Sequence, residues 1–239
     1  MKASERIILA LDVNTRDEAL KWVDRLGRFI KIFKVGMQLY YSAGPQVIKE
    51  INDAGGRVFL DLKFHDIPNT VAAAGRIAVN LNCFMFNVHA AGGREMMQTV
   101  VTEVKNEAQK KGFQPPMILA VTVLTSLAEE QVKREMFVTE KKLNELVVAW
   151  AMMAKESGLS GVVCSPNEIQ DIRKKCGHGF KIVTPGVRPR WSDRNDQKRI
   201  TTPRQAIDWG ADYVVIGRPI TKSEDPIKAV QAIIHEMEE

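Results

Sequence analysis

The chain is poor in cysteine, with three thiols (Cys83, Cys164 and Cys176) among 239 residues. The count is odd and no two stand at metal-ligand or redox spacing, which excludes a disulfide framework and a cysteine-rich metal module. Cys83 and Cys164 lie in apolar runs and read as buried thiols, a usage that fits a reducing compartment. Long hydrophobic runs are missing too. The first one, in "MKASERIILALDVN", is cut off at Asp12, too short and too charged for a signal peptide or a membrane span, so a cytoplasmic location and no membrane partner are expected. Although the formal charge is +5, there is no dense Lys/Arg block with interleaved aromatics. The mild surplus suits a small anionic substrate, and nucleic acid is not an expected partner.

Several signatures are absent as well. No G-x-G-x-x-G follows the first strand pattern, "KVGMQLYYSAGPQ" lacks the Walker Gly-Lys-Ser/Thr, and there is no serine nucleophile elbow. No Gly/Ser-rich linker or shift in composition divides the chain, so one domain over residues 1–239 is expected.

What is present is alternation. Apolar content of 45% and charged content of 26% allow a full core. Eight short runs rich in Val and Ile read as strands: Arg6–Asp12, Ile32–Gly36, Arg57–Lys63, Phe84–Ala90, Met117–Thr125, Gly161–Ser165, Lys181–Val187 and Tyr213–Arg218. Most are apolar throughout, as parallel strands covered on both faces must be. Helical patterns separate them. Thr15 is an expected N-cap ahead of a stripe of Ala19, Trp22, Val23 and Leu26, Asn69 or Thr70 an expected cap after the third strand, and Gly158 an expected C-cap. Eight β-α alternations in this length favour a single-domain α/β protein, a (β/α)₈ TIM barrel, over a doubly wound open sheet.

A barrel carries its chemistry at the C-terminal ends of its strands, and polar residues gather there. Asp12 ends the first run, and Lys34 stands on the second. Asp61 and Lys63 end the third, two apart and so on one face, with Leu60 and Leu62 on the other. Asp66 follows on the loop. Together Lys34, Asp61, Lys63 and Asp66 would form an alternating Lys-Asp-Lys-Asp array in which each charge has an opposite neighbour, as costly buried charges require. An ion-pair network that only closes the barrel remains the alternative. Thr125 and Ser126 end the fifth run. Gly217 and Arg218, which end the eighth, match the usual barrel phosphate position. The long polar stretch Gly186–Ile200 reads as a lid in which Arg188 and Gln197 could close on a phosphate. His65 and His89 form no recognisable ligand set and read as satisfied structural histidines, so no metal is expected.

"FLDLKFHDIPNTV" (residues 59–71) resembles the signature of the orotidine 5′-phosphate decarboxylase family, and the similarity runs along nearly the whole chain. It includes "LALD" from Leu9, "KVG" from Lys34, "NVHAAGG" from Asn87, "AVTVLTS" from Ala120, "GVVCS", "VTPGVRP" from Val183 and "VIGRPIT" from Val215. The resemblance implies a cofactor-free, metal-free homodimer of barrels that converts orotidine 5′-phosphate to uridine 5′-phosphate and CO₂, the last step of de novo UMP synthesis. It implies that Lys63 protonates C6 and that Asp61 lies beside the departing carboxylate. Lys34 would bridge Asp61 and the ribose, which Asp12 also binds. Asp66 would complete the partner's site, with Ile67 and Thr70 beside it. Ser126 would hydrogen-bond the pyrimidine, Thr125 would line the site, and Arg188, Gln197, Gly217 and Arg218 would hold the phosphate. A Mg²⁺-dependent 3-keto-L-gulonate 6-phosphate decarboxylase shares the Asp-x-Lys-x-x-Asp pattern, but "DIPNT" and "VLTS" argue against it. A Schiff-base aldolase would need a lysine of depressed pKa, which flanking carboxylates oppose. An intact tetrad argues against a non-catalytic phosphate-binding barrel.

Overall fold

The computed structural model of the chain describes residues 1–191 and 201–239. Eight parallel strands close into a barrel in sequence order: β1 (Ile7–Ala10), β2 (Ile32–Gly36), β3 (Arg57–Phe64), β4 (Met85–His89), β5 (Met117–Val121), β6 (Gly161–Val163), β7 (Lys181–Pro185) and β8 (Tyr213–Ile216), with β8 pairing back onto β1. The open-sheet alternative is thereby set aside.

Helices cover the outside: α1 (Arg16–Leu26), α2 (Met37–Ala43), α3 (Gln46–Asp53), α4 (Pro68–Asn80), α5 (Gly93–Lys111), α6 (Glu129–Glu135), α7 (Leu143–Glu156), α8 (Ile169–Cys176), α9 (Pro203–Asp208), α10 (Arg218–Thr221) and α11 (Pro226–Glu238). Local chemistry sets their ends. Thr15 caps α1 by accepting from the Glu18 N–H, as expected, and Asp225 caps α11 by accepting from Ile227 and Lys228. Neither Asn69 nor Thr70 caps α4. Ile67 holds that position and Pro68 opens the helix, because proline's fixed φ and missing N–H cost nothing in a first turn. The C-cap of α7 is Ser157, not Gly158, which follows it in the left-handed conformation with φ 85°.

Strand alternation divides the core in two. Ile8, Ala10, Ile32, Phe59, Met85, Leu119, Val183 and Val215 pack inside the barrel. Leu9, Phe33, Val35, Val58, Leu60, Phe86 and Val88 face the helices. Several strands are shorter than their apolar runs. In particular, β5 stops at Val121, so Thr125 and Ser126 stand on an exposed turn beyond the strand. Apolar content marks burial, and residues 122 and 123 stay buried after the ladder has ended.

Glu168, in the 3₁₀ turn after β6, is buried, and burial pushes its carboxyl up to about 7 despite hydrogen bonding to Ser165. The folded chain therefore keeps a proton that the unfolded chain releases from about pH 4.5 upward. This group's contribution to stability is intact below that value and is lost as pH rises through 7. Glu168→Gln, which cannot ionise, should be more stable than wild type at pH 8 by on the order of 3 kcal/mol, with the gap closing near pH 4. Urea titrations at the two pH values measure this, and equal midpoints at pH 8 would refute it.

Candidate active site

The end of β3 is not a regular strand. Its pairing with β4 steps from Leu60↔Phe86 to Phe64↔Val88, so four residues of β3 are matched by two of β4. The two extra residues form a bulge, a device that re-aims side chains at a barrel rim. Lys63 sits in it with φ 53°, a left-handed conformation that costs a lysine about 1–3 kcal/mol. Phe59, Asp61 and Lys63 nevertheless share the inner face, as the period of two requires, while Leu62 packs outward.

Asn87 on β4 braces this arrangement. Its Oδ1 accepts from the Lys63 backbone N–H at 2.8 Å, and its Nδ2 donates to Asp61 Oδ1 at 2.7 Å. Lys63 Nζ donates to the same Asp61 oxygen at 2.7 Å. Lys34 Nζ lies between Asp61 Oδ2 at 3.5 Å and Asp12 Oδ1 at 3.3 Å. Burial alone would raise the Asp61 pKa, but Lys34, Lys63 and the Asn87 amide more than offset it and hold the carboxyl below its ordinary value. Asp61 is therefore a largely buried carboxylate that its neighbours hold in the charged form at neutral pH. The close approach of Gly36 is part of the packing, since a Cβ there would stand 3.1 Å from Lys34 Nζ.

The row formed within one chain is thus Asp12–Lys34–Asp61–Lys63. The expected array of Lys34, Asp61, Lys63 and Asp66 is only partly assembled. Asp66 is exposed, and its Oδ1 accepts from the Ile67 N–H at 2.7 Å. Ile67 is 67% exposed and Thr70 is exposed beside it. The physical reason is the direction of the chain: after Phe64 it leaves the barrel mouth and turns into α4, so a side chain three residues past Lys63 no longer faces the lumen.

The opposite side of the rim carries Arg188, Gly217 and Arg218. Arg188 is buried just after β7, and its N–H donates to the Thr201 carbonyl at 3.0 Å. Gly217 precedes α10 and lies against the end of β1, where a Cβ would stand 3.3 Å from Ala10 Cβ and 3.7 Å from Asp12 Oδ2. Arg218 is exposed at the same edge. Thr125 lines a cavity of about 90 Å³ shared with Leu127, Ser165 and Glu168. Gln197 lies outside the described residues.

Two further findings bear on the site. Asn87 was not legible as functional, although a lone amide in the apolar run "FMFNVH" was the available signal. His89 is not a satisfied histidine, because its Nδ1 is buried without a hydrogen-bond partner among the described residues. Among those residues no three His, Cys, Asp or Glu side chains converge as a metal-ligand set. Asn87→Ala should destabilise the fold by about 1–3 kcal/mol, the cost of a buried acceptor that loses a donor. The same change should move the Asp61 pKa upward. Denaturant titration and carbonyl-region NMR of Asp61 measure the two effects, and an unshifted Asp61 would count against the brace.

A family profile described as "Orotidine 5'-phosphate decarboxylase / HUMPS family" matches residues 5–233. The chain belongs to that family. It is 64% identical, over the full length of both chains, to the orotidine 5′-phosphate decarboxylase of Syntrophomonas wolfei. It is 51% identical to that of Moorella thermoacetica, covering 100% of this chain and 94% of the relative. Among solved structures, the Lactobacillus acidophilus orotidine 5′-phosphate decarboxylase superposes with a TM-score of 0.87 at 37% identity, covering 98% of this chain and all of that one. The barrel and the resemblance drawn from the signature and seven further sequence blocks therefore agree on the family.

Proposed function

We propose that this chain decarboxylates orotidine 5′-phosphate to uridine 5′-phosphate and CO₂ in UMP synthesis, using Lys63 as the proton donor. The activity is the one its relatives carry in their names, at identities of 64% and 51% across the whole chain. The observation that carries the mechanism is the 2.7 Å contact between Lys63 Nζ and an Asp61 carboxylate held in its charged form.

Loss of CO₂ from C6 of the pyrimidine leaves an electron pair on a carbon with no adjacent sink. In many decarboxylases a cofactor takes up that charge. Here the compensating charge is the Lys63 ammonium, fixed in advance by Asp61 and by the Asn87 brace on its backbone. As the C6–CO₂ bond breaks, its electron pair stays on C6 and takes a proton from Lys63 Nζ, leaving a neutral amine that solvent reprotonates. Asp61 stands beside the substrate carboxylate, where like charge disfavours the bound ground state. Lys34, tied to both Asp12 and Asp61, orients the ribose hydroxyls together with Asp12. Thr125 and Ser126 meet the pyrimidine, and Arg188, Gln197, Gly217 and Arg218 hold the phosphate. Binding energy at that remote group drives closure over the reacting carbon.

The reading needs no metal and no cofactor, and it acts in a homodimer. The exposure of Asp66, Ile67 and Thr70 in a single chain supports their service in the partner's site. The three buried thiols support a reducing, cytoplasmic setting. The sugar-phosphate members covered by the same family profile are the second reading, which the names of the most similar relatives disfavour. Replacement of the ammonium tests the proton step. Folded Lys63→Ala should form almost no uridine 5′-phosphate in a single turnover, whereas the retained Asp61, Lys34 and Asn87 keep the rest of the site. Turnover within about a hundredfold of wild type would contradict protonation by Lys63.

A further inference from the structure

Directly beyond the bulge that carries Lys63, the imidazoles of His65 and His89 stack, with ring centroids 5.2 Å apart and planes inclined at 27°. Neither ring has a part in the reaction above. Their placement is what matters. His89 is the last residue of β4, and His65 is the first residue after β3, so the stack joins the two strands where their ladder runs out. Normal pairing across the bulge returns only at Phe64↔Val88, one residue before each histidine. On one side, then, the irregular stretch is held by the Leu60↔Phe86 pair and on the other by Phe64↔Val88 and the stack.

The packing around the stack is close. A Cβ on Gly92 would collide with Met96 Cε and reach 3.4 Å from His65 Cδ2. Burial, then the neighbouring His65 and Lys63, lower the His89 pKa, so His89 is neutral at neutral pH. A charged ring would set a second cation beside Lys63 and bury an N–H without an acceptor. A neutral ring offers a flat aromatic face.

We propose that the His65–His89 stack is a positioning element of the active site, fixing the end of β3 so that Lys63 Nζ stays aimed at the reacting carbon and the following turn presents Asp66. The proposal rests on the reading of Lys63 as proton donor. A strained left-handed lysine between two strand partners will relax if one anchor is released, and a displacement of about 1 Å at a reacting group lowers rate by about a hundredfold. The phosphate grip on the far side of the rim involves none of these residues. Loss of the stack should therefore appear in kcat and not in KM.

The test uses steady-state kinetics on His65→Ala, which removes the exposed ring, and His65→Phe, which keeps a stacking face. His89→Ala serves as an independent variant, and Lys63→Ala is assayed beside them. Each protein's melting temperature and dimer mass are measured first. His65→Ala should lose at least about tenfold in kcat with KM within about threefold of wild type, and His65→Phe should recover most of the loss. If folded, dimeric His65→Ala and His89→Ala keep wild-type kcat while Lys63→Ala is inactive, the stack has no positioning role and only this proposal falls. Equal losses in His65→Phe and His65→Ala would also overturn it, since stacking would not be the property that matters. An active Lys63→Ala would overturn the Lys63 reading and this proposal with it.

Discussion

Lys63→Ala should lower kcat by at least about 10⁴-fold while leaving a folded barrel, since on the proposed mechanism it removes both a general acid and the charge that stabilises the developing carbanion. The size follows from two roles on one atom. Each is worth at least about a hundredfold in comparable sites, and no neighbouring group is placed to replace either. Lys34 is the only other ammonium in the row, and it is already shared between Asp12 and Asp61. The fold should survive because Asp61 keeps Lys34 and the Asn87 amide, and because Lys63 itself is half-exposed and outside the apolar core. A purely structural ion-pair network requires the reverse pattern, with stability lost and turnover retained. Circular dichroism and gel filtration of the variant, followed by single-turnover kinetics, separate the two. Residual turnover within about a hundredfold of wild type would remove Lys63 from the proton step.

Mixing two inactive variants, Asp66→Ala and Lys63→Ala, should restore activity to about a quarter of wild type once subunits have exchanged. Random reassortment makes half of the dimers mixed. In each of these, one site joins an intact Lys63 from one subunit to an intact Asp66 from the other, while the second site has lost both. The expectation rests on Asp66 being exposed in a single chain, with its carboxylate engaged by the Ile67 N–H. If Asp66 acted only within its own chain, neither site of a mixed dimer would be whole. Mass spectrometry of differently labelled subunits verifies exchange, and inactivity despite exchange would contradict the shared site.

Much of this architecture could be read from residue patterns. Each of the eight Val/Ile-rich runs marks one strand, because a parallel barrel strand is covered on both faces and is therefore mostly apolar. The same fact blurred the strand ends. Val123 is as apolar as a strand residue and is buried, yet it lies past the end of β5, and this put Thr125 and Ser126 on a strand that does not reach them. The pairing of Asp61 with Lys63 was legible from their spacing, and so was the approach of Lys34. The bulge was not, since register depends on which residues of β4 face β3. Without the bulge there was no reason to assign Asn87 a role or to bring His65 onto His89. Asp12 gave a related lesson. Its place at the end of a strand marked it as a rim residue, but only the β1–β2 register sets it on Lys34 and makes it the fourth charge of the row.

The most direct test of the central claim is to incubate the purified protein with orotidine 5′-phosphate in excess EDTA and follow the ultraviolet change as the uridine nucleotide forms. Turnover should proceed at the same rate with and without chelator, with one CO₂ released per nucleotide. No turnover by the folded protein, or turnover that stops in EDTA and returns with Mg²⁺, would contradict a decarboxylation driven by the protein's own Lys63 and Asp61.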